Sequence, residues 1–224
     1  MKKILFHCSI LIVGLFFVGC SMDEGENNEG RPVTDSADSL PHNDVYGENL
    51  LLNNSVEKWD MEICEHPLNW LLPHGYCNKV TRSSVLVFEG KYSARMKALE
   101  KGSTARIAQL VQITPGSKIR IRFNYYVVQW KANGARTYCY FRTDSQESTN
   151  ISIAELRSIY TNEEYYIIRG GGYGEMYLPH TTDTWLVFDE TITAPNTANY
   201  FEFGVNSYYG TVIYIDDFYI SESE

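Results

Sequence analysis

Between Lys118 and Arg142 the chain alternates with a period of two, and that period limits most what it can become. Ile119, Ile121, Phe123, Tyr125 and Val127 share one side of the run. Arg120, Arg122, Asn124, Tyr126 and Trp130 share the other. Successive side chains of a strand point to opposite faces, so the run is a half-buried strand. Asn133-Gly134 then supplies the strongest short hairpin signal. Beyond it Thr137, Cys139 and Phe141 continue the apolar side, and Arg136, Tyr138, Tyr140 and Arg142 the other. The expectation is one sheet surface that is apolar and an opposite surface lined with Arg, Asn, Tyr and Trp.

From Asn49 onward the rest follows the same style, with breaks at Gly90, Pro115-Gly116, Pro195 and Gly210. Many short strands with regular turns predict an antiparallel β-sandwich or barrel. Residues 150–165 admit one short helix, and 144–184 read as a long inserted loop. The glycine-rich run RGGGYGE at 169–175 does not join a strand to a helix, so it is no phosphate cradle.

The first residues stand apart. Lys2 and Lys3 precede an apolar run from Ile4 to Val18, which has the layout of a secretory signal and is short for a membrane span. Its ending, FVGC, resembles a bacterial lipobox, which implies a signal peptide over 1–19 and a lipidated Cys20. Residues 20–44 are an acidic, turn-rich tether with nothing to bury. The stretch SMDEGENNEG resembles the acidic export tag of Bacteroidetes-type lipoproteins, implying an outer-membrane anchor facing the cell exterior. The folded domain is expected over 45–224.

The formal charge of -9 moves to about -11 once Lys2 and Lys3 leave with the signal, so nucleic acid is not an expected partner. Cys64 and Cys77 bracket a loop and are the natural disulfide pair in an exported protein. The same loop holds His66 and His74, so a zinc site and two thiols are the alternatives. Cys139 sits inside a strand pattern as a small core residue.

Widely spaced segments resemble carbohydrate-binding modules of the family 4/9 and 22 type. NLLLNNSVEKWD looks like their opening strand, PLNW their Pro-x-x-Trp, GKYSARM their Gly-x-x-Ser strand, QLVQITPGSKIRIRFNYYV their central strand pair and IYIDDFYI their closing strand. The resemblance covers nearly all of the folded part and implies a galactose-binding-like jelly roll. It also implies a structural Ca²⁺ held by Asp216, by Glu57 and by carbonyls near Ser55 and Gly90 or Lys91. Such an ion would account for two adjacent carboxylates, Asp216 and Asp217, inside an apolar strand. The alternative is that Asp216 bonds backbone amides at a bulge.

Family members carry their groove on one sheet face, which implies a glycan ligand. Tyr126, Trp130, Tyr138 and Tyr140 would then stack on sugar rings, and Arg122, Asn124, Arg136 and Glu202 would bond hydroxyls. Trp59, Trp70 and Trp185 are expected in the core. The other function class is protein binding or structural, as an adhesin, a pilus-associated subunit or a member of a nutrient-uptake complex with other surface proteins. An enzyme is disfavoured: carboxylates such as Glu175, Asp189, Glu190 and Glu202 are present, but no nucleophile, metalloprotease or phosphate-loop motif is.

Overall fold

The structure, a computed structural model, describes residues 47–62, 64–72, 77, 79–131, 134–161, 170–171, 174–175 and 177–223. The chain divides into a first unit, Met1–His42, and a second, Asn43–Glu224, and every described residue belongs to the second. The signal, Cys20, the tether, His74, Asn133 and, in the glycine-rich run, Arg169, Gly172 and Tyr173 therefore lie outside the described residues.

In chain order the strands are β1 (Trp59–Asp60), β2 (His66–Pro67), β3 (Val80–Ser83), β4 (Ser93–Lys97), β5 (Thr104–Gln112), β6 (Lys118–Gln129) and β7 (Ala135–Arg142). They continue with β8 (Gly170–Gly171), β9 (Gly174–Glu175), β10 (Trp185–Thr193), β11 (Tyr200–Tyr208) and β12 (Val212–Ser223). One sheet has the order β10-β6-β12-β4-β3, the other β5-β11-β7, and all ladders are antiparallel. The molecule is an all-β sandwich. Its one α-helix among the described residues, α1 (Ile153–Ile159), starts where the Ser152 side chain accepts the Glu155 amide at 3.2 Å.

The core forms where the two apolar faces meet. Ile119, Ile121, Phe123, Tyr125 and Val127 of β6 are all buried, as the alternation requires, and so are Thr137, Cys139 and Phe141 of β7. Phe123 is central: its ring lies 4.9 Å from Phe188, 5.5 Å from Phe218 and 5.7 Å from Phe203. Burying each such ring contributes about 1.5–3 kcal/mol.

The expected pairing of the two strands around Asn133-Gly134 does not occur. β6 is flanked on both sides, by β10 and β12, so it has no edge left for β7, which pairs with β11. Between Gln129, the end of β6, and Ala135, the start of β7, the chain passes from one sheet to the other. Gly134 has φ +48°, and a Cβ there would lie 2.1 Å from the Trp130 ring, so the crossing needs glycine. β6 ends at Gln129 and β7 begins at Ala135, so the connection is longer than the tight two-residue hairpin that keeps both strands in one sheet.

Candidate functional site

The polar face expected on one surface is divided between two. Arg136, Tyr138, Tyr140 and Arg142 point outward from the three-stranded sheet, and Arg122, Asn124 and Tyr126 outward from the five-stranded one. On the latter, Arg122 Nη1 and Asn124 Nδ2 both reach Asp217 Oδ2, at 3.2 and 3.0 Å. These two residues hold a bulge. The register slips between Asp216 and Tyr219, and Asp217 takes φ +49°, so the adjacent aspartates turn away from each other.

Asp216 turns to the loop before β4. Its Oδ2 accepts the Phe88 and Glu89 amides at 3.0 and 3.2 Å, and its Oδ1 the Asp217 amide at 2.8 Å. It is fully buried, and desolvation pushes its carboxyl up to about 7 against the pull of those amides. Glu57 Oε1 accepts the Lys91 and Tyr92 amides of the same loop, at 2.7 and 3.0 Å. Gly90 leaves room for that carboxylate, since a Cβ there would lie 2.3 Å from Oε1. The fold thus brings Glu57, Gly90, Lys91 and Asp216 to one loop, with Ser55 in the turn just before Glu57.

Tyr126 meets the Trp185 ring edge-on at 5.6 Å, and Trp185 meets Phe88 at 5.5 Å. Trp185 is therefore half-buried on the outer face instead of in the core, whereas Trp70 is a core residue and Trp59 packs against the core. Trp130 is stacked on His180 at 4.6 Å beside the crossing and does not join the Tyr138 face.

The outer face of the three-stranded sheet is different. Across β7, β11 and β5 its successive rows are Tyr140–Glu202–Leu110, Tyr138–Gly204–Ala108 and Arg136–Asn206–Arg106. Gly204 lets the Tyr138 ring lie across the strand, because a Cβ there would meet ring atoms at 2.4 Å. Arg106 covers the ring at 4.5 Å from its centroid and donates from Nε to Asn206 Oδ1 at 2.8 Å. Tyr138 is thus only 2% exposed and is a floor for the face, not the open platform expected. Tyr140, half-buried, meets it edge-on at 5.6 Å.

A cavity of about 580 Å³ opens over this floor, a size suited to a small ligand. Arg106, Tyr138, Arg142 and Glu202 line it, with Ala108 and Leu110 beside them. One wall is Leu52, Leu71 and Leu72, the other Ser145 and Glu147. The first wall is fixed by backbone. Leu71 bridges Ala108 through bonds of 2.7 and 3.2 Å, and Gln109 clamps both the amide and the carbonyl of Leu52, at 2.7 and 3.0 Å. Trp70, buried against Phe218 at 4.5 Å, roots that wall in the core. Cys64 and Cys77, joined by a disulfide with Cα atoms 5.5 Å apart, close the same loop.

Arg142 and Glu202 form a buried ion pair at the cavity floor. Desolvation raises the Glu202 carboxyl above its ordinary range, Arg142 opposes this, Glu147 adds to it, and Arg106 opposes it again. Arg142 Nη1 also donates to Ser145 O at 3.2 Å, tying the pair to the second wall. Two buried polar atoms beside the cavity have no hydrogen-bond partner, Tyr138 OH and Arg142 Nε. Alternation had put Arg142 on this face without marking it as a ligand contact; Arg106 was missed, although the same period in ARIAQLVQ sets it opposite Ile107. The walls carried no sequence signal, since they are assembled from three separate loops.

No family model matches the sequence, nor does any curated protein. Solved structures do. A family 16 carbohydrate-binding module matches with a TM-score of 0.51 at 15% identity, over 77% of this chain and 99% of the module. The enzymatically active domain of tailspike protein 4 from bacteriophage CBA120 matches with a TM-score of 0.52 at 13% identity, over 78% of this chain and 21% of that one. This chain shares the β-sandwich fold of that carbohydrate-binding module. Within that fold, the cavity occupies the outer face of the smaller sheet.

Proposed function

We propose that the protein is a non-catalytic, glycan-binding lipoprotein displayed at the cell surface, and that the cavity over β5, β11 and β7 is its glycan site. The observation that carries this reading is the lining itself. Sugars have apolar C–H faces bordered by hydroxyls, and a leucine wall beside a floor of Tyr, Arg and Glu complements both parts. Tyr138 OH and Arg142 Nε are buried beside the cavity without hydrogen-bond partners, so the polar floor is not fully satisfied by its own contacts. An affinity-gel and glycan-array screen of the protein tests this. Tyr138→Ala is expected to abolish retention without unfolding the domain, and Trp130→Ala to leave it unchanged. Retention by neither wild type nor variant on plant, host and microbial glycans would overturn the reading.

Display at the surface rests on Cys20 as the lipid-bearing residue, anchored in the outer membrane. Cys20→Ser should release the protein from the membrane fraction and remove acyl label. A structural Ca²⁺ beside β12 is the second part of the proposal. A buried carboxylate held only by amides is what a hard cation neutralises, and the oxygens of Asp216 and Glu57, with carbonyls of Ser55, Gly90 and Lys91, are the donors it prefers. Calorimetry should show Ca²⁺ uptake and EDTA should lower the melting temperature; no heat and no shift would remove the ion.

One observation favours a protein partner from an uptake complex as the second reading. The outer face of the five-stranded sheet carries Tyr126 and Trp185 beside Val187 and Val128, 54% and 44% exposed. Failure of the glycan screen would give this face priority.

A further inference from the structure

We propose that the ligand of the cavity is an amphiphile taken up one molecule at a time, with an uncharged sugar head over the Tyr138 floor and an alkyl or acyl chain along the leucine wall. This rests on the glycan reading above and names the chemical class of the glycan. The lining is asymmetric. Arg106, Tyr138, Arg142 and Glu202 make the floor polar, and Ser145 and Glu147 do the same for one wall. The other wall is Leu52, Leu71 and Leu72, whose side chains carry no hydrogen-bonding group. A single sugar has one C–H face to set against that wall, and a cavity of about 580 Å³ takes molecules larger than one ring. A second ring there would bring hydroxyls to side chains that cannot bond them. A hydrocarbon chain needs no partner, because apolar burial is non-directional.

Single exposed leucines are ordinary on a protein surface. These differ in being brought together from separate segments and held by their backbones. The Gln109 side chain takes both the amide and the carbonyl of Leu52, and Leu71 exchanges two backbone bonds with Ala108. Trp70, next to Leu71, occupies the core side, so Leu71 is left outside. Leu52 and Leu71 remain 63% and 51% exposed, which leaves apolar surface for a chain to cover. The charges decide the head. Arg106 and Arg142 are matched by Glu147 and Glu202, and Arg142 is already paired with Glu202. The described lining thus has no excess positive charge to recognise a phosphate or a carboxylate, and a neutral sugar fits it better than the head of a phospholipid.

Titration calorimetry tests this on the full chain carrying Cys20→Ser, which has no acyl group of its own at that cysteine. The probes are methyl, butyl and octyl glycosides of glucose, galactose and mannose, each kept below the concentration at which it forms micelles. Affinity should rise with chain length, about twofold per added methylene, since one side of the chain stays in water. Leu52→Ser and Leu71→Ser should flatten that rise, and Leu71→Met should keep it. Both leucines are exposed, so the serine variants should fold as the wild type does. Equal binding of methyl and octyl glycosides, a rise that survives both serine variants, or 1-octanol bound as tightly as an octyl glycoside would each overturn the amphiphile. Binding to phosphatidylcholine vesicles that carry a glycosyl diacylglycerol, with no binding of a soluble octyl glycoside, would overturn it too, since the leucines would then meet a membrane surface. If no glycoside binds but the glycan screen retains the protein, the amphiphile falls and the glycan reading stands. If neither binds, both fall.

Discussion

On the smaller sheet, Glu202 pairs with Arg142 under a cavity; on the larger, Asp217 pairs with Arg122 and Asn124 in a bulge. Both pairs are largely buried, with side-chain exposures of 5% and 10% in the first and 14% and 10% in the second. They differ in what remains unmet. Asp217 gathers Arg122 and Asn124 on one oxygen, and none of the three has a buried polar atom without a partner. At Glu202, Gly204 keeps the strand bare so that Tyr138 lies flat, and Tyr138 OH and Arg142 Nε stay unsatisfied. A fully satisfied ion pair holds a fold together, whereas a partly satisfied one beside a cavity has capacity left for a ligand.

The largest expected effect comes from the satisfied pair. Asp217→Ala leaves Arg122 buried without its counter-charge and should lower the unfolding free energy by about 3–5 kcal/mol in urea titration. Glycan affinity of the folded fraction should not change. A stable Asp217→Ala protein that fails to bind would reverse the roles of the two faces.

Gly204→Val comes next. Any side chain there meets the Tyr138 ring, so the ring must leave or the strand must shift, at about 1–3 kcal/mol. Unlike the aspartate variant, it should also lose the ligand. Full glycan affinity in a folded Gly204→Val protein would show that the flat ring is dispensable.

Glu202→Gln sharpens the contrast through pH. Burial raises the folded carboxyl above its unfolded value, so its contribution to stability is present below the ordinary glutamate range and is lost as pH rises through the folded value. Gln resembles the protonated form. The stability difference between variant and wild type should therefore favour Gln most at neutral pH and shrink on acidification. A difference that does not vary with pH would mean that Arg142 compensates the burial completely.

Much of the architecture is legible in the sequence. Period-two patterning placed Ile119, Ile121, Phe123 and Tyr125 inside, because a pleated strand leaves no other choice. It also separated Tyr138 and Arg142 from Cys139 and Phe141. What it could not give was the partner of each strand. Alternation fixes a face but not a sheet, so Arg122 and Tyr138 were joined on a surface they do not share. Leu52, Leu71 and Glu147 reach the cavity through tertiary contacts at long separations, such as Leu71 with Ala108, and a local pattern holds no trace of these.

The smallest effect tests the separation of the faces most directly. Tyr126 belongs to the five-stranded sheet and meets only the edge of Trp185, at 5.6 Å. Tyr126→Ala removes one tilted aromatic contact from a half-buried position and should cost about 1 kcal/mol or less. Glycan affinity should stay within error of wild type, since no row of the smaller sheet includes this residue. Paired with Tyr138→Ala, it puts one tyrosine on each outer surface under the same assay. A loss of affinity at both would require a ligand that passes around the sheet edge, and then the smaller sheet would supply only half of the site.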